Sequence, residues 1–97
     1  MKSIRIDSPA DEALAEARMK WPRVEDVWEV LDWNLMQDPT VGKPLTESGN
    51  VRAYTIHGAR SIGWPTVTVL YQIEGEYITI LEAQFVKATI YTQPGRA

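Results

Sequence analysis

The chain has 97 residues, 44% of them hydrophobic and 24% charged, with a net charge of −3 and no cysteine. That length makes one domain, residues 1–97, able to bury roughly 60–65% of its unfolded surface, and the composition is that of an ordinary soluble globular protein. The missing cysteines exclude disulfides, thiolate zinc sites and thiol catalysis, no apolar run approaches the ~20 residues of a membrane-spanning helix, and the acidic balance argues against a protein that coats nucleic-acid phosphates.

The start, MKSIRIDSPADEALAEA, lacks the apolar core of a signal peptide, so a cytoplasmic protein with no membrane partner is expected. Ser3–Asp7 alternates Ile4 and Ile6 with Arg5, as a short half-buried strand should. Ser8 then reads as the N-cap of a helix over 9–20, with Pro9 in its first position and Asp11 and Glu12 at the positive end of its dipole. Ala10, Ala13, Leu14, Ala17 and Trp21 make a narrow apolar stripe.

Trp21-Pro22 ends that helix, because the residue before proline avoids the α region. In the next segment, about 23–37, Val24, Val27, Trp28, Leu31 and Leu35 share one helical face, and Asp38-Pro39 stops it. The small residues of the first stripe predict a close antiparallel helical hairpin. Thr40–Asn50 reads as a connecting loop.

Three antiparallel strands follow: Val51–His57, Thr66–Ile73 and, after a Glu74-Gly75 turn, Glu76–Val86. In the second, Val67, Val69, Tyr71 and Ile73 form the face expected on the helices, opposite Thr66, Thr68, Leu70 and Gln72. For Val51–His57 the facing stays open between Arg52, Tyr54, Ile56 and the alternate set. Residues 88–97 read as a polar tail. The carboxylates crowd into the helices, and Lys43, Arg52 and Arg60 make the sheet half weakly positive.

The run Asp38-Pro39-Thr40-Val41-Gly42-Lys43-Pro44-Leu45 after the second helix, Arg52 opening the next strand, Val69-Leu70-Tyr71-Gln72-Ile73 and the final hairpin Glu74–Leu81 occur in the order and spacing of one family. On these residues the chain resembles the RelE/ParE superfamily of toxins from bacterial type II toxin–antitoxin systems, over about residues 3–87. The resemblance implies an α+β fold, β-α-α-β-β-β, with a helical hairpin on one face of a mainly antiparallel sheet. It implies a cognate antitoxin as partner. It also implies either a ribosome-dependent mRNA endonuclease or a poison of DNA gyrase.

The chain departs from the nuclease pattern. Thr68 stands where an arginine three residues before the strand tyrosine is usual, Ala53 and Thr55 replace basic residues, and Ala88 sits where another arginine is expected. Cleavage by 2′-OH attack needs a base, an acid and cations on the developing phosphorane charge.

The remaining candidates for such a site are His57, Arg52, Arg60 and Lys87, with Tyr91 beyond them. Each also has a plain structural reading: a strand-end histidine, a loop-anchoring arginine, an exposed loop arginine, a tail lysine. Trp33 and Trp64 are candidates for a partner-binding surface toward an antitoxin or in a homodimer. One histidine without cysteine makes no zinc or iron site, and no cofactor is called for.

The expectation is therefore a toxin-like growth inhibitor, neutralised by an antitoxin, without the usual cationic ribonuclease site. Its alternatives are an mRNA interferase with an atypical site and a degenerate non-catalytic binding domain.

Overall fold

Period-two and helical hydrophobic spacing resolve, in the computed structural model, into a five-stranded sheet carrying two helices. The structure describes residues 3–88. The expected polar tail lies outside the described residues from 89 on, and Tyr91 with it. The elements are β1 (Ser3–Ile6), α1 (Ser8–Lys20), α2 (Val24–Gln37), β2 (Lys43–Pro44), β3 (Val51–Ile56), a 3₁₀ turn (Arg60–Ile62), β4 (Thr66–Glu74) and β5 (Tyr77–Val86). The sheet order is β1-β5-β4-β3-β2. The β1–β5 pair is parallel and the others are antiparallel, which makes the α+β fold expected from the sequence.

Three details differ from the reading of the sequence. The helix N-cap is Asp7, not Ser8. Asp7 N–H donates to Ile80 O at 2.9 Å, so the sheet holds Asp7 extended and the helix starts one residue early. The stripe of α1 lies mainly on β5, and only its margin touches α2. Ala10 and Ala17, both buried, let the helix approach the sheet closely, and an Arg18–Glu25 ion pair ties the two helices together. Within the expected loop, β2 pairs Lys43 with Ala53 and Pro44 with Arg52. The Trp21-Pro22 break forms as expected: Trp21 is extended at φ −127°, ψ 105°.

The core joins Leu14, Val24, Val27, Trp28, Leu31 and Leu35 of the helices to Val67, Val69, Tyr71, Ile78 and Ile80 of the sheet. All of these are at most 5% exposed. The open question on β3 is settled by register: Arg52 faces Tyr71, Tyr54 faces Val69 and Ile56 faces Val67, so this set shares the helix side. In β5 the register shifts between Leu70 and Tyr71, whose partners are Glu82 and Ile80. Leu81 is left without a cross-strand partner, a β-bulge. The bulge keeps Ile78 and Ile80, then Ala83 and Phe85, on the helix side, and turns Glu82 and Gln84 outward.

Trp28 spans the two layers, its ring centroid 5.8 Å from that of Phe85. Trp28→Ala is expected to cost about 3–5 kcal/mol, as for other large core aromatics. Urea unfolding should show this as a lower midpoint with an unchanged slope.

Candidate functional site

Arg52 and Tyr71 are cross-strand neighbours, and both turn into the loop that follows α2. Arg52 Nε donates to Gly49 O at 2.8 Å, and Nη1 donates to Thr40 O at 3.1 Å and Gly42 O at 2.8 Å. The buried Tyr71 hydroxyl donates to Pro39 O at 2.7 Å and accepts from Gly42 N–H at 2.9 Å. Gly42 has no room for a side chain, since a Cβ there would sit 2.7 Å from both Ala53 O and the Tyr71 hydroxyl. Asp38 opens the loop by accepting from Thr40 N–H at 3.1 Å and Thr40 Oγ1 at 2.7 Å. Those two hydrogen bonds, and then the charge of Arg52, hold the Asp38 carboxyl below its ordinary range. Arg52 is thus engaged with backbone carbonyls, away from the other candidate cations.

The sheet face away from the helices carries a shallow depression of about 380 Å³. Ala53, Thr68, Leu70, Glu82 and Gln84 line it. Thr68 and Thr55 share a hydroxyl–hydroxyl bond of 2.9 Å across β3 and β4. Among the described residues no cation lines this depression. Cations stand at the edges of the face, with Lys43 beside Ala53 and Arg5 stacked 3.6 Å over the Tyr77 ring. The weakly positive sheet half inferred from composition does not form a positive cleft here: among the described residues Glu82 is the one charged side chain lining it.

A second depression, about 330 Å³, opens at the end of the sheet between Trp21, Arg60, Gly63, Trp64, Lys87 and Ala88. The turn that builds it depends on Gly58, where a Cβ would lie 2.2 Å from Trp64 O. Arg60 Nε donates to Ala88 O at 2.7 Å. Trp64 is half-buried, and its Nε1 has no hydrogen-bond partner among the described residues.

The structure thus brings together Arg60, Lys87 and Trp64. It leaves exposed His57, just past β3, outside this cavity, and Arg52 near the opposite end of β3. Among the described residues, no cluster of three or more His, Cys, Asp or Glu is placed to hold a metal, and no helix is long and apolar enough to cross a membrane. Thr55 and Thr68 were singled out from sequence as replacements of basic residues, and the register adds their mutual hydrogen bond. Trp21 read as core, and the outward Glu82 becomes visible only once the bulge is known.

Trp33 lies elsewhere, 63% exposed on α2 beside Val30 at 37%. On the same helix Glu25, Glu29 and Asp32 recur at i, i+4 and i+7. Asp32 Oδ1 is buried without a partner among the described residues. Burial, and then the charges of Glu25 and Glu29, push its carboxyl above the ordinary 3.8.

Two predictions follow from these pKa shifts and contacts. Tyr71→Phe removes the hydroxyl that serves Pro39 O and Gly42 N–H, and should cost about 1–3 kcal/mol. Amide exchange at Gly42 should accelerate. Burial also raises the Tyr71 phenol above 10.0. As pH rises through 10.0 the unfolded chain releases this proton first, so stability falls there, and Tyr71→Phe should lose that alkaline component. Asp32→Asn removes a disfavoured charge. It should raise stability at neutral pH by roughly 0.5–1 kcal/mol for this half-exposed group. The gain should shrink as pH falls through the raised folded value and vanish below the unfolded 3.8, measured by denaturation across pH.

Comparison of the chain with protein-family models, with curated proteins and with solved structures finds no match in any of the three, and the geometry above is what bears on function.

Proposed function

We propose that this chain is the toxin-like component of a type II toxin–antitoxin pair of RelE/ParE type. In this reading it inhibits growth by binding a protein target, with DNA gyrase the leading candidate, and a cognate antitoxin neutralises it. The element order and the Asp38–Leu45 loop support the superfamily. The observation that supports the binding mode is the outward sheet face, whose depression is lined by Thr68, Leu70, Glu82 and Gln84 and, among the described residues, by no cation.

Stabilising the extra negative charge of a phosphorane needs positioned cations or donors, each worth about 10²–10³ in rate. A threonine hydroxyl is neutral and short, and Glu82 opposes the required charge. Arg52 is spent on three loop carbonyls. The second reading, an mRNA interferase with an atypical site, is favoured by one observation: Arg60 and Lys87 line a common cavity. Among the described residues, that cavity has no lining histidine or carboxylate to move a proton.

The test pairs two assays on the purified chain. On translating ribosomes, mRNA is expected to stay intact. With gyrase, supercoiling is expected to be inhibited, and expression in bacteria should arrest growth without mRNA decay. Codon-positioned mRNA cleavage that disappears in Arg60→Ala, Lys87→Ala or His57→Ala would overturn the binding reading in favour of the interferase. Inactivity in every assay would leave a degenerate domain.

A further inference from the structure

The solvent side of α2 is chemically lopsided. Its fourteen residues hold Glu25, Asp26, Glu29 and Asp32 and no Lys, Arg or His. Two of these charges are already matched, since Glu25 pairs with Arg18 and Asp26 pairs with Arg23 at 2.8 Å. Glu29 and Asp32 have no ion pair among the described residues. Helical geometry puts Trp33 next to Glu29, which it follows by four residues, and next to Val30, three residues before it, while Asp32 lies on the far side of Glu29, three residues on. A large indole, mostly in water, thus flanks an acidic row.

Charge decides what covers such a surface. A second copy of this face would set Glu29 and Asp32 against themselves, and like charges brought together and desolvated cost several kcal/mol. Nucleic-acid phosphates and anionic lipids are repelled for the same reason. A segment carrying Lys or Arg on either side of an apolar residue gains twice: it covers the indole and relieves the repulsion within the row. Burial first, and then that repulsion, raises the Asp32 carboxyl.

We infer that the outer side of α2 is the docking surface for a basic, apolar-centred segment of the partner protein, with Trp33 and Val30 taking its apolar side chain and Glu29 and Asp32 its cations. This rests on the reading above only in that a protein partner exists. It adds the partner's chemistry and the place where it sits. Tryptophan is the residue type most often found dominating such an interface, which assigns Trp33 the central role.

The probes are two synthetic amphipathic helical peptides, one of leucine and lysine, the other with every lysine replaced by glutamate. Binding is measured by titration of Trp fluorescence and by calorimetry on the full chain. The lysine peptide should bind, and more weakly as salt rises. The glutamate peptide should not. Trp33→Ala should weaken binding about tenfold or more, as expected of an interface anchor. The double reversal Glu29→Lys, Asp32→Lys should switch preference to the glutamate peptide.

All the substituted side chains are at least partly exposed, and far-UV circular dichroism checks that each variant is folded. Equal binding of both peptides would overturn the proposal, as would lysine-peptide binding unmoved by these substitutions. Self-association of the chain that Trp33→Ala abolishes would overturn it too, by making a second copy the occupant. The peptide titration reads docking and the ribosome and gyrase assays read toxicity, so failure of one is distinguishable from failure of the other.

Discussion

One pair of side chains, Arg52 and Tyr71, holds the loop on which the sheet's far edge depends. They lie opposite each other on β3 and β4 and between them serve Pro39 O, Thr40 O, Gly42 N–H, Gly42 O and Gly49 O. Four of these contacts are buried or part-buried, and each buried group left unpaired costs about 1–3 kcal/mol. The clamp also ties register to loop. A one-residue slip of β3 on β4 would flip Arg52 to the other face and lose its three loop contacts. β2 follows from this, because Lys43 and Pro44 reach β3 only when the preceding turn is held at Gly42.

The same alternation that aims Arg52 at the loop removes it from the outward face. The bulge at Leu81 then completes the polarity of that face. Without it, the period set by Ile78 and Ile80 would drive Glu82 and Gln84 into the helices. With it, Ala83 and Phe85 pack inward, and a carboxylate stands in the outward depression. The electrostatic character of this surface is thus set by backbone geometry as much as by composition. A surface whose depression is lined by Glu82, with Lys43 and Arg5 on the outer strands, is poorly suited to hold a phosphate undergoing attack.

Much of the architecture was legible from residue spacing. The apolar stripe of α2, the Trp21-Pro22 break and the alternation in β4 each have one physical solution, and Val24, Val27, Trp28, Leu31, Val67, Val69 and Ile80 are buried as their spacing requires. Three things were not legible. The N-cap moved because a sheet hydrogen bond to Ile80 outweighs the capping preference of Ser8. β2 is two residues with no pattern of its own. The bulge shows only as a change of apolar phase, from Ile78 and Ile80 to Ala83 and Phe85, which the apolar Leu81 between them masks. The candidate site suffered for the same reason. Arg52, Arg60 and Lys87 are equal as letters, and only the fold assigns one to a loop and two to a cavity.

That division bears on what the superfamily resemblance can mean. Among the residues that carry it, Asp38, Pro39, Thr40, Gly42, Arg52 and Tyr71 are those that build the clamp and its turn. They speak for a fold, and a fold hosts several functions. Chemistry must be sought where the fold makes no demand. Trp33 is such a place. Nothing in the packing of α2 needs an indole there: the buried stripe runs through Val24, Val27, Trp28, Leu31 and Leu35, and Trp33 lies off it. A polar residue would cost the domain nothing and would expose less apolar surface. The indole stands beside Glu29, which repels Asp32 on a helix that lacks any cation. Two features unfavourable to the isolated chain therefore coincide on one surface, and a single basic, apolar partner segment relieves both.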